Sequence, residues 1–383
     1  MIAAGPRPPF VAIACGGTGG HLFPGLAIAG QLKQHGCDVA LLVSPKQVDQ
    51  QAVKTARDLE IFTLPAVGLQ NHNYPAFAGS FVKSLLAARK IFRRRRPDAV
   101  LAMGGFTGAP PVFVAKDMSA KTFLHESNTI PGRANRFLAR FVDEAFVGFP
   151  DAAGRLRTKK ISATGTPVRP QFSPDSRLAA SNCRVLLGLD PQCPTVLVVG
   201  GSQGASGLNA LIVSALPLLA GKNWQWLHLT GANDCAKVQA AYAAHRLKAV
   251  VKPFLPEMDL ALGAATATVS RAGASSLAEL AAVRLPSLLV PYPAAADNHQ
   301  FFNARAFEAT RAARLLEQKG ARAETLASLL VELMEDESSR ATIQAALAQW
   351  HAPRAAEQIA ETILAMISPR PESAASMRVF HAH

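Results

Sequence analysis

FVAIACGGTGGH, residues Phe10 to His21, is the stretch whose reading decides the fold. Phe10–Ala14 is a short apolar run of the kind that makes a buried strand, and the glycines after it end the run. Leu22 to Leu32 then carries helical apolar periodicity. Strand, glycine loop and helix in that order open a parallel α/β sheet. Val39–Val43, Ala99–Ala102 and Thr122–Leu124 read as later strands of the same sheet. Clustered glycines let backbone N–H groups approach an anion without a Cβ in the way, and the helix adds its positive N-terminal end. A plain packing turn explains glycine there, but not His21 directly behind a double Gly-Gly pair. His21 is expected as the first helical residue, at the sheet edge where α/β sites form. The dinucleotide fingerprint is absent, because Leu22 stands where its last glycine would fall, and no P-loop pattern is present.

The pattern restarts in the second half. Thr195–Val199 leads into Gly200-Gly201-Ser202-Gln203-Gly204-Ala205, and Leu208–Leu219 reads as the helix behind it. Gln225–Leu229, Ala249–Val251, Thr266–Ser270 and Ser287–Val290 read as further strands. A chain of 383 residues suits two domains of roughly 150–200 residues each. The Gly- and Pro-rich run Gly165–Pro170 marks the junction. The expected division is 1–168 and 169–350. A helix over 353–367 is free to pack back on the first domain, and 368–383 reads as a loose tail.

Composition narrows the function classes. With 49% hydrophobic residues the chain can bury a sizeable core, which excludes disorder throughout. Its five cysteines, Cys15, Cys37, Cys183, Cys193 and Cys235, are scattered without C-x-x-C spacing, so neither a disulfide framework nor a zinc site is expected. Met1–Phe10 holds three prolines and no apolar run, unlike a secretory signal. The uncharged stretches Ala99–Ala115 and Pro194–Gly221 are broken by Gly and Pro, so any membrane association is expected to be peripheral.

The net charge of +13 is lopsided: residues 1–170 hold 22 Lys and Arg against 10 Asp and Glu, the remainder 18 against 17. A basic half suits nucleic acid, anionic lipid or a phosphorylated substrate. Few aromatics interleave the basic residues, so nucleic acid is not the expected partner. Phe77–Arg96 is the candidate surface for anionic lipid. Phe81, Leu85, Ala88 and Phe92 share one helical face, broadened by Val82 and Leu86, and Arg93 to Arg96 add a dense cationic end. A core-packed helix with a solvated basic end is the competing account.

Other polar clusters follow strands. His125-Glu126-Ser127-Asn128 precedes Pro131-Gly132, and so many polar groups at a strand's end are costly to bury without a purpose. A carboxylate beside an imidazole can serve as a base or orient a substrate. In Ser270–Glu279 small residues open a helix, and Glu279 in its first turns suits a clamp on vicinal ribose hydroxyls. Asp297-Asn298-His299-Gln300, behind Pro291-Tyr292-Pro293, offers side chains for sugar hydroxyls.

In this order the motifs resemble the MurG family of bacterial UDP-N-acetylglucosamine transferases. The matching runs are GGTGGH at 16–21, GGF at 104–106, HESN at 125–128, GTPVR at 165–169, GGSQGA at 200–205, Gly273-Ala274 to Glu279, and Asp297 to Gln300. The resemblance implies an α/β protein of GT-B type, two Rossmann-like domains facing a cleft, with the nucleotide-sugar in the second. It implies Ser202 and Gln203 at the nucleotide phosphates, Leu255 against uracil, Ala274, Ser275 and Ser276 at the phosphate end, Glu279 on the ribose and Gln300 on the sugar. Thr18, Gly19 and Gly20 would border the cleft, with Asn128 and Arg169 reaching the donor. His21, Glu126 and Asn135 would serve acceptor binding and base chemistry, with His21 and Glu126 both open as the catalytic base. Ser127 stands where the familiar pattern has Gln, Thr166 where it often has Asn, and Thr107-Gly108-Ala109-Pro110-Pro111 differs from the common run after GGF.

The activity implied is inverting transfer of N-acetylglucosamine from UDP-GlcNAc to the muramyl C4 hydroxyl of lipid I, giving lipid II for peptidoglycan. The location implied is the cytoplasmic side of the cell inner membrane, bound peripherally. No Asp-x-Asp motif is present, and neither a cofactor nor a protein-held metal is expected. Another lipid-directed GT-B transferase, a UDP-N-acetylglucosamine 2-epimerase and a binding module without turnover remain as alternatives.

Overall fold

The computed structural model of the protein describes residues 7–17, 19–46, 49–50, 58–66, 74–201 and 204–367. They form two parallel sheets. The first contains β1 (Phe10–Ala14), β2 (Asp38–Val43), β3 (Glu60–Thr63), β4 (Ala99–Ala102), β5 (Lys121–Glu126), β6 (Glu144–Val147) and β7 (Ile161–Ala163), in the order β3-β2-β1-β4-β5-β6-β7. The second contains β8 (Thr195–Val199), β9 (Gln225–Leu229), β10 (Ala249–Lys252), β11 (Ala267–Ser270), β12 (Ser287–Leu289) and β13 (Arg314–Leu315), in the order β10-β9-β8-β11-β12-β13. Each sheet reverses its winding at its first strand: β1 lies between β2 and β4, and β8 between β9 and β11. The glycine loops behind β1 and β8 therefore stand at the two topological switch points, where a crevice opens beyond the strand ends.

Strand alternation sorts the first core into two layers. Val11 and Ile13 of β1 pack in the layer that holds Leu22, Ile28 and Leu32 of helix α1 (Gly19–Gln34). Ala12 and Ala14 face the opposite layer, with Ala88 and Phe92 of helix α2 (Tyr74–Arg94) and Val112 of helix α3 (Ala109–Asp117). The chain's last described helix, Ala355–Ile367, returns to this domain and buries Ile359, Ala360 and Ile363 beside Val11 and Ile13. Where it crosses over, Trp350 stacks on Phe307 at 4.4 Å between ring centres and packs on Phe149 at 5.3 Å.

Several details differ from the sequence reading. Helix α1 begins at Gly19, so His21 is its third residue and lies within the first turn, not at its start. Strands β3, β6, β7 and β13 carry no periodic signal of their own, being two to four residues long. The face of α2 read as a lipid stripe is largely core: Ala88 and Phe92 are buried and Leu85 is packed against them. Of that set Val82 and Leu86 are the exposed members, with Phe81 half-buried. Among the described residues no helix is long and apolar enough to cross a membrane.

Candidate active site

Both sets of strand ends face one cleft, and the cavity there has a volume of about 1860 Å³. Ordinary small-molecule sites run to roughly 300–1,000 Å³, so this one has room for two substrates at once. Its lining includes Gly19, Gly20, His21, Glu126, Asn128 and Asn135 from the first domain. Arg169 lies at the junction, and Leu255, Ala274, Ser275, Ser276, Glu279 and Gln300 line the side of the second domain. Thr18, Ser202 and Gln203, also singled out from the sequence, lie outside the described residues, as does the tail 368–383.

Glu126 ends β5 and organises the first wall. Its Oε1 accepts from the Asn128 backbone N–H at 2.8 Å and from Asn128 Nδ2 at 3.1 Å. Its Oε2 accepts from Asn135 Nδ2 at 2.7 Å and from the Gly132 N–H at 3.0 Å. Asn135 sits in the short helix α4 (Arg133–Leu138), and its buried Oδ1 has no protein partner among the described residues. The imidazole that joins Glu126 at the cavity is His21, not its neighbour His125. Successive strand residues face opposite ways, and His125 is buried with Nε2 3.2 Å from the Gly165 carbonyl and Nδ1 3.2 Å from Ser127 Oγ. Ser127 thus serves as a prop for that ring. Burial pushes the His125 imidazole down to about 4.

The His21 ring lies against Gly104 and Gly105, both at positive φ. A Cβ on Gly104 would fall 2.9 Å from Asn135 Nδ2 and 3.0 Å from His21 Nε2, so only glycine admits both groups to the same spot. Burial lowers the His21 pKa from its ordinary value, with the Glu126 and Asp49 carboxylates opposing the shift. A neutral imidazole with that environment can take a proton at physiological pH. The glycine loop beside it is tied from below. Asp49 Oδ2 accepts from the Gly17 N–H at 2.6 Å, and Thr107 Oγ1 donates to the Gly16 carbonyl at 2.8 Å.

On the opposite wall, helix α9 (Ala274–Val283) presents Ala274, Ser275 and Ser276 at its N-terminus. Ser275 Oγ donates across the cleft to the Gly20 carbonyl at 2.9 Å. Glu279, one turn on, pairs with Arg169. Burial pushes its carboxyl above the usual carboxylate range, and the Arg169 guanidinium offsets part of that. Gln300 Oε1 accepts from the Ala272 and Tyr292 backbone N–H groups at 3.3 and 3.0 Å, which leaves its amide nitrogen for a ligand. Asp297, which also lines the cavity, bridges to Arg133 at 3.2 Å and Arg136 at 3.0 Å on the first domain.

Two features of the site escaped the sequence reading. One is Asn303, which joins the walls; it follows Gln300 by three residues on the same helical face, a signal that was available. The other is an aromatic flank of Phe77, Phe81, Phe106 and Phe137, gathered from three separate segments. No local pattern announces it.

The comparisons with known proteins fall on the same two halves. Residues 11–147 match the model of the glycosyltransferase family 28 N-terminal domain, and residues 195–359 match that of the family 28 C-terminal domain. A relative from Anaeromyxobacter dehalogenans, named UDP-N-acetylglucosamine--N-acetylmuramyl-(pentapeptide) pyrophosphoryl-undecaprenol N-acetylglucosamine transferase, is 35% identical over 378 residues, covering 94% of this chain and 93% of its own. One of the same name from Xanthomonas oryzae pv. oryzae is 37% identical over 358 residues, with 92% of this chain and 78% of its own covered. Among solved structures, Acinetobacter baumannii MurG superimposes with a TM-score of 0.71 at 26% identity, over 94% of this chain and all of that one.

Proposed function

The chain belongs to glycosyltransferase family 28, within its MurG members, and on that premise we propose that it transfers N-acetylglucosamine from UDP-GlcNAc to the C4 hydroxyl of N-acetylmuramyl-(pentapeptide) pyrophosphoryl-undecaprenol. The observation that carries this reading is the single cavity holding His21, Glu126, Asn128 and Asn135 on one wall and Leu255, Ser275, Glu279 and Gln300 on the other. A sugar donor on the second wall faces an acceptor on the first.

The step is a displacement with inversion at the anomeric carbon. The acceptor C4 oxygen bonds to that carbon while the bond to the diphosphate breaks, and UDP leaves with the electron pair. His21 takes the hydroxyl proton, an assignment supported by its lowered basicity and its place at the cavity. Glu126 has both oxygens engaged by four donors, so it acts as the anchor for Asn128 and Asn135, not as the proton acceptor. Asn135 Oδ1, buried without a partner among the described residues, is the acceptor for a substrate hydroxyl. The N-terminus of helix α9, with Ala274 to Ser276, meets the charge that develops on the diphosphate. By the resemblance of their motifs to the family, Ser202 and Gln203 serve the nucleotide phosphates and Thr18 borders the cleft, while Leu255 packs on uracil, Glu279 takes the ribose, Arg169 reaches the donor and Gln300 holds the sugar.

The acceptor's polyprenyl anchor keeps the enzyme at a bilayer, peripherally and on the cytoplasmic face of the inner membrane. Support for the contact surface comes from α2, where exposed Val82 and Leu86 lie among Lys83, Arg89, Lys90, Arg93 and Arg94.

The test is UDP release from UDP-GlcNAc, measured with and without a lipid-I analogue, for the wild type and Glu279→Ala. Acceptor-dependent release that collapses in the variant is the expected result. Donor binding without any release on that acceptor would overturn the assignment.

A further inference from the structure

Asn303 is fully buried in helix α10 (His299–Ala309) of the second domain, yet two of its three hydrogen bonds go to the first. Its Oδ1 accepts from the Thr129 backbone N–H at 2.9 Å. Its Nδ2 donates to Asn128 Oδ1 at 3.0 Å and to the Ala272 carbonyl at 3.2 Å. We propose that Asn303 is a positioning residue for the transfer step, which holds the Glu126–Asn128 arm in its reactive geometry when the two domains are closed. The inference rests on the transferase reading above.

The argument is one of connectivity. On the donor side, the Ala272 peptide is gripped at both ends by α10, its N–H by Gln300 and its carbonyl by Asn303. Ala272 leads directly into the N-terminus of helix α9. On the acceptor side, Asn128 Oδ1 accepts from Asn303 Nδ2 and Asn128 Nδ2 donates to Glu126 Oε1, while Glu126 Oε2 accepts from Asn135 Nδ2. An unbroken chain of hydrogen bonds thus runs from the donor loop to the acceptor wall through one amide.

Only this side chain fits the role. The position needs two donors and one acceptor at short reach. An Asp would set a carboxylate oxygen against Asn128 Oδ1 and the Ala272 carbonyl. A Leu of similar shape would leave the Thr129 N–H and the Ala272 carbonyl without their partner. Because the contact spans both domains, it can tighten the reacting groups without anchoring either substrate alone.

The experiment measures kcat, the KM for UDP-GlcNAc and the melting temperature for Asn303→Leu, Asn303→Ser, Asn128→Ala and the double variant Asn128→Ala/Asn303→Leu, with rates taken per folded molecule. Loss of alignment predicts a kcat lowered about 10- to 100-fold in both Asn303 variants, with the KM for UDP-GlcNAc within about threefold. The double variant should be no slower than the slower single one, because both break the same link. Unchanged kcat per folded molecule, an effect confined to KM, or strictly additive losses would overturn the proposal. Asn303→Ser keeps the test in hand where the Leu variant folds poorly. Absence of UDP release from the wild type would strike the transferase reading instead, and the wild-type arm reports that separately.

Discussion

Arg169 and Glu279 form an ion pair in the lining of the cleft, Nη2 to Oε1 at 3.2 Å, with side chains only 15% and 12% exposed. The pair joins the interdomain junction to the helix expected to hold the donor ribose. Arg169 is also stacked on Phe23 at 4.2 Å and near Phe172 at 5.0 Å, so its guanidinium stays in place when the carboxylate turns to a ligand. A buried pair of this kind contributes little net stability while intact and costs several kcal/mol when one member is removed.

Removal of Glu279 should therefore weaken donor and protein together. Glu279→Gln is expected to raise the KM for UDP-GlcNAc about 10- to 100-fold, a loss of about 1.5–3 kcal/mol for hydrogen bonds to a charged group. It should also lower the melting temperature, because Arg169 keeps its charge without its partner. Steady-state kinetics and thermal unfolding check the two effects.

Arg169→Met should make donor affinity depend on pH. Burial already holds the Glu279 carboxyl above its ordinary range, and Arg169 is the group that opposes this. Without the guanidinium the pKa climbs further, and the ionised form that accepts ribose hydroxyls is lost at a higher pH. Affinity should fall as pH drops through that pKa. Calorimetric titration with UDP at pH 7.5 and pH 5.5 should show a steeper decline in the variant than in the wild type.

The acid limb of the rate should report His21. Its imidazole must be neutral to accept the C4 proton, and burial holds its pKa below the ordinary imidazole value. The profile of kcat/KM against pH should carry an acid limb that lies below the ordinary imidazole range. His21→Gln should lower kcat about 10²- to 10⁴-fold and remove that limb from the residual rate. A limb that persists in the variant would assign it to another group.

Much of this was legible before any coordinates. The glycine runs at 16–20 and 200–204 mark the switch points because a loop at that place has to let backbone approach closely, and glycine is the residue that allows it. Short strands such as Arg314–Leu315 were not legible, since two residues carry no period. The sequence left α2 open between a lipid-facing and a core-packed helix because periodicity gives the width of an apolar stripe, not what covers it; Ala88 and Phe92 face the sheet while Leu86 faces out. The pairing of Asp297 with Arg133 and Arg136 was not legible, because those partners lie about 160 residues away in the chain. A pairing at that separation has no local signature.

Acid should weaken the second domain through a group away from the cleft. His228 Nε2 lies 3.1 Å from Asn209 Oδ1, and its Nδ1 3.1 Å from the Tyr242 hydroxyl. Asn209 spends its Nδ2 on Thr230 and Asp234, so its Oδ1 must accept; the proton then sits on Nε2, and Nδ1 accepts from tyrosine. Burial pushes this imidazole down to about 3. The unfolded chain takes up the proton near pH 6.5 and the folded one does not, so the His228 contribution is full above that pH and declines as pH falls towards 3. At pH 5 the loss is about 2 kcal/mol. Urea unfolding at pH 7 and pH 5 should show it, and Tyr242→Phe should reduce the folded protein's stability at both.

The two faces of α2 give the sharpest test of membrane association, since neighbouring substitutions predict opposite outcomes. Leu86 is 63% exposed and borders a shallow depression with Arg89, Lys90, Arg93 and Arg94. A carboxylate there removes an apolar contact and opposes the surrounding cations, each worth about 1 kcal/mol near an anionic bilayer. Leu86→Glu should therefore abolish co-sedimentation with phosphatidylglycerol vesicles while the melting temperature holds. Ala88, two residues on, has no exposed surface and packs under the first sheet. Ala88→Glu buries a charge without a partner and should destabilise the domain by about 3–5 kcal/mol. If Leu86→Glu binds vesicles as the wild type does, lipid contact belongs to another surface. The aromatic flank of Phe77, Phe81 and Phe137, which lines the reactive cavity, would then be the one to alter.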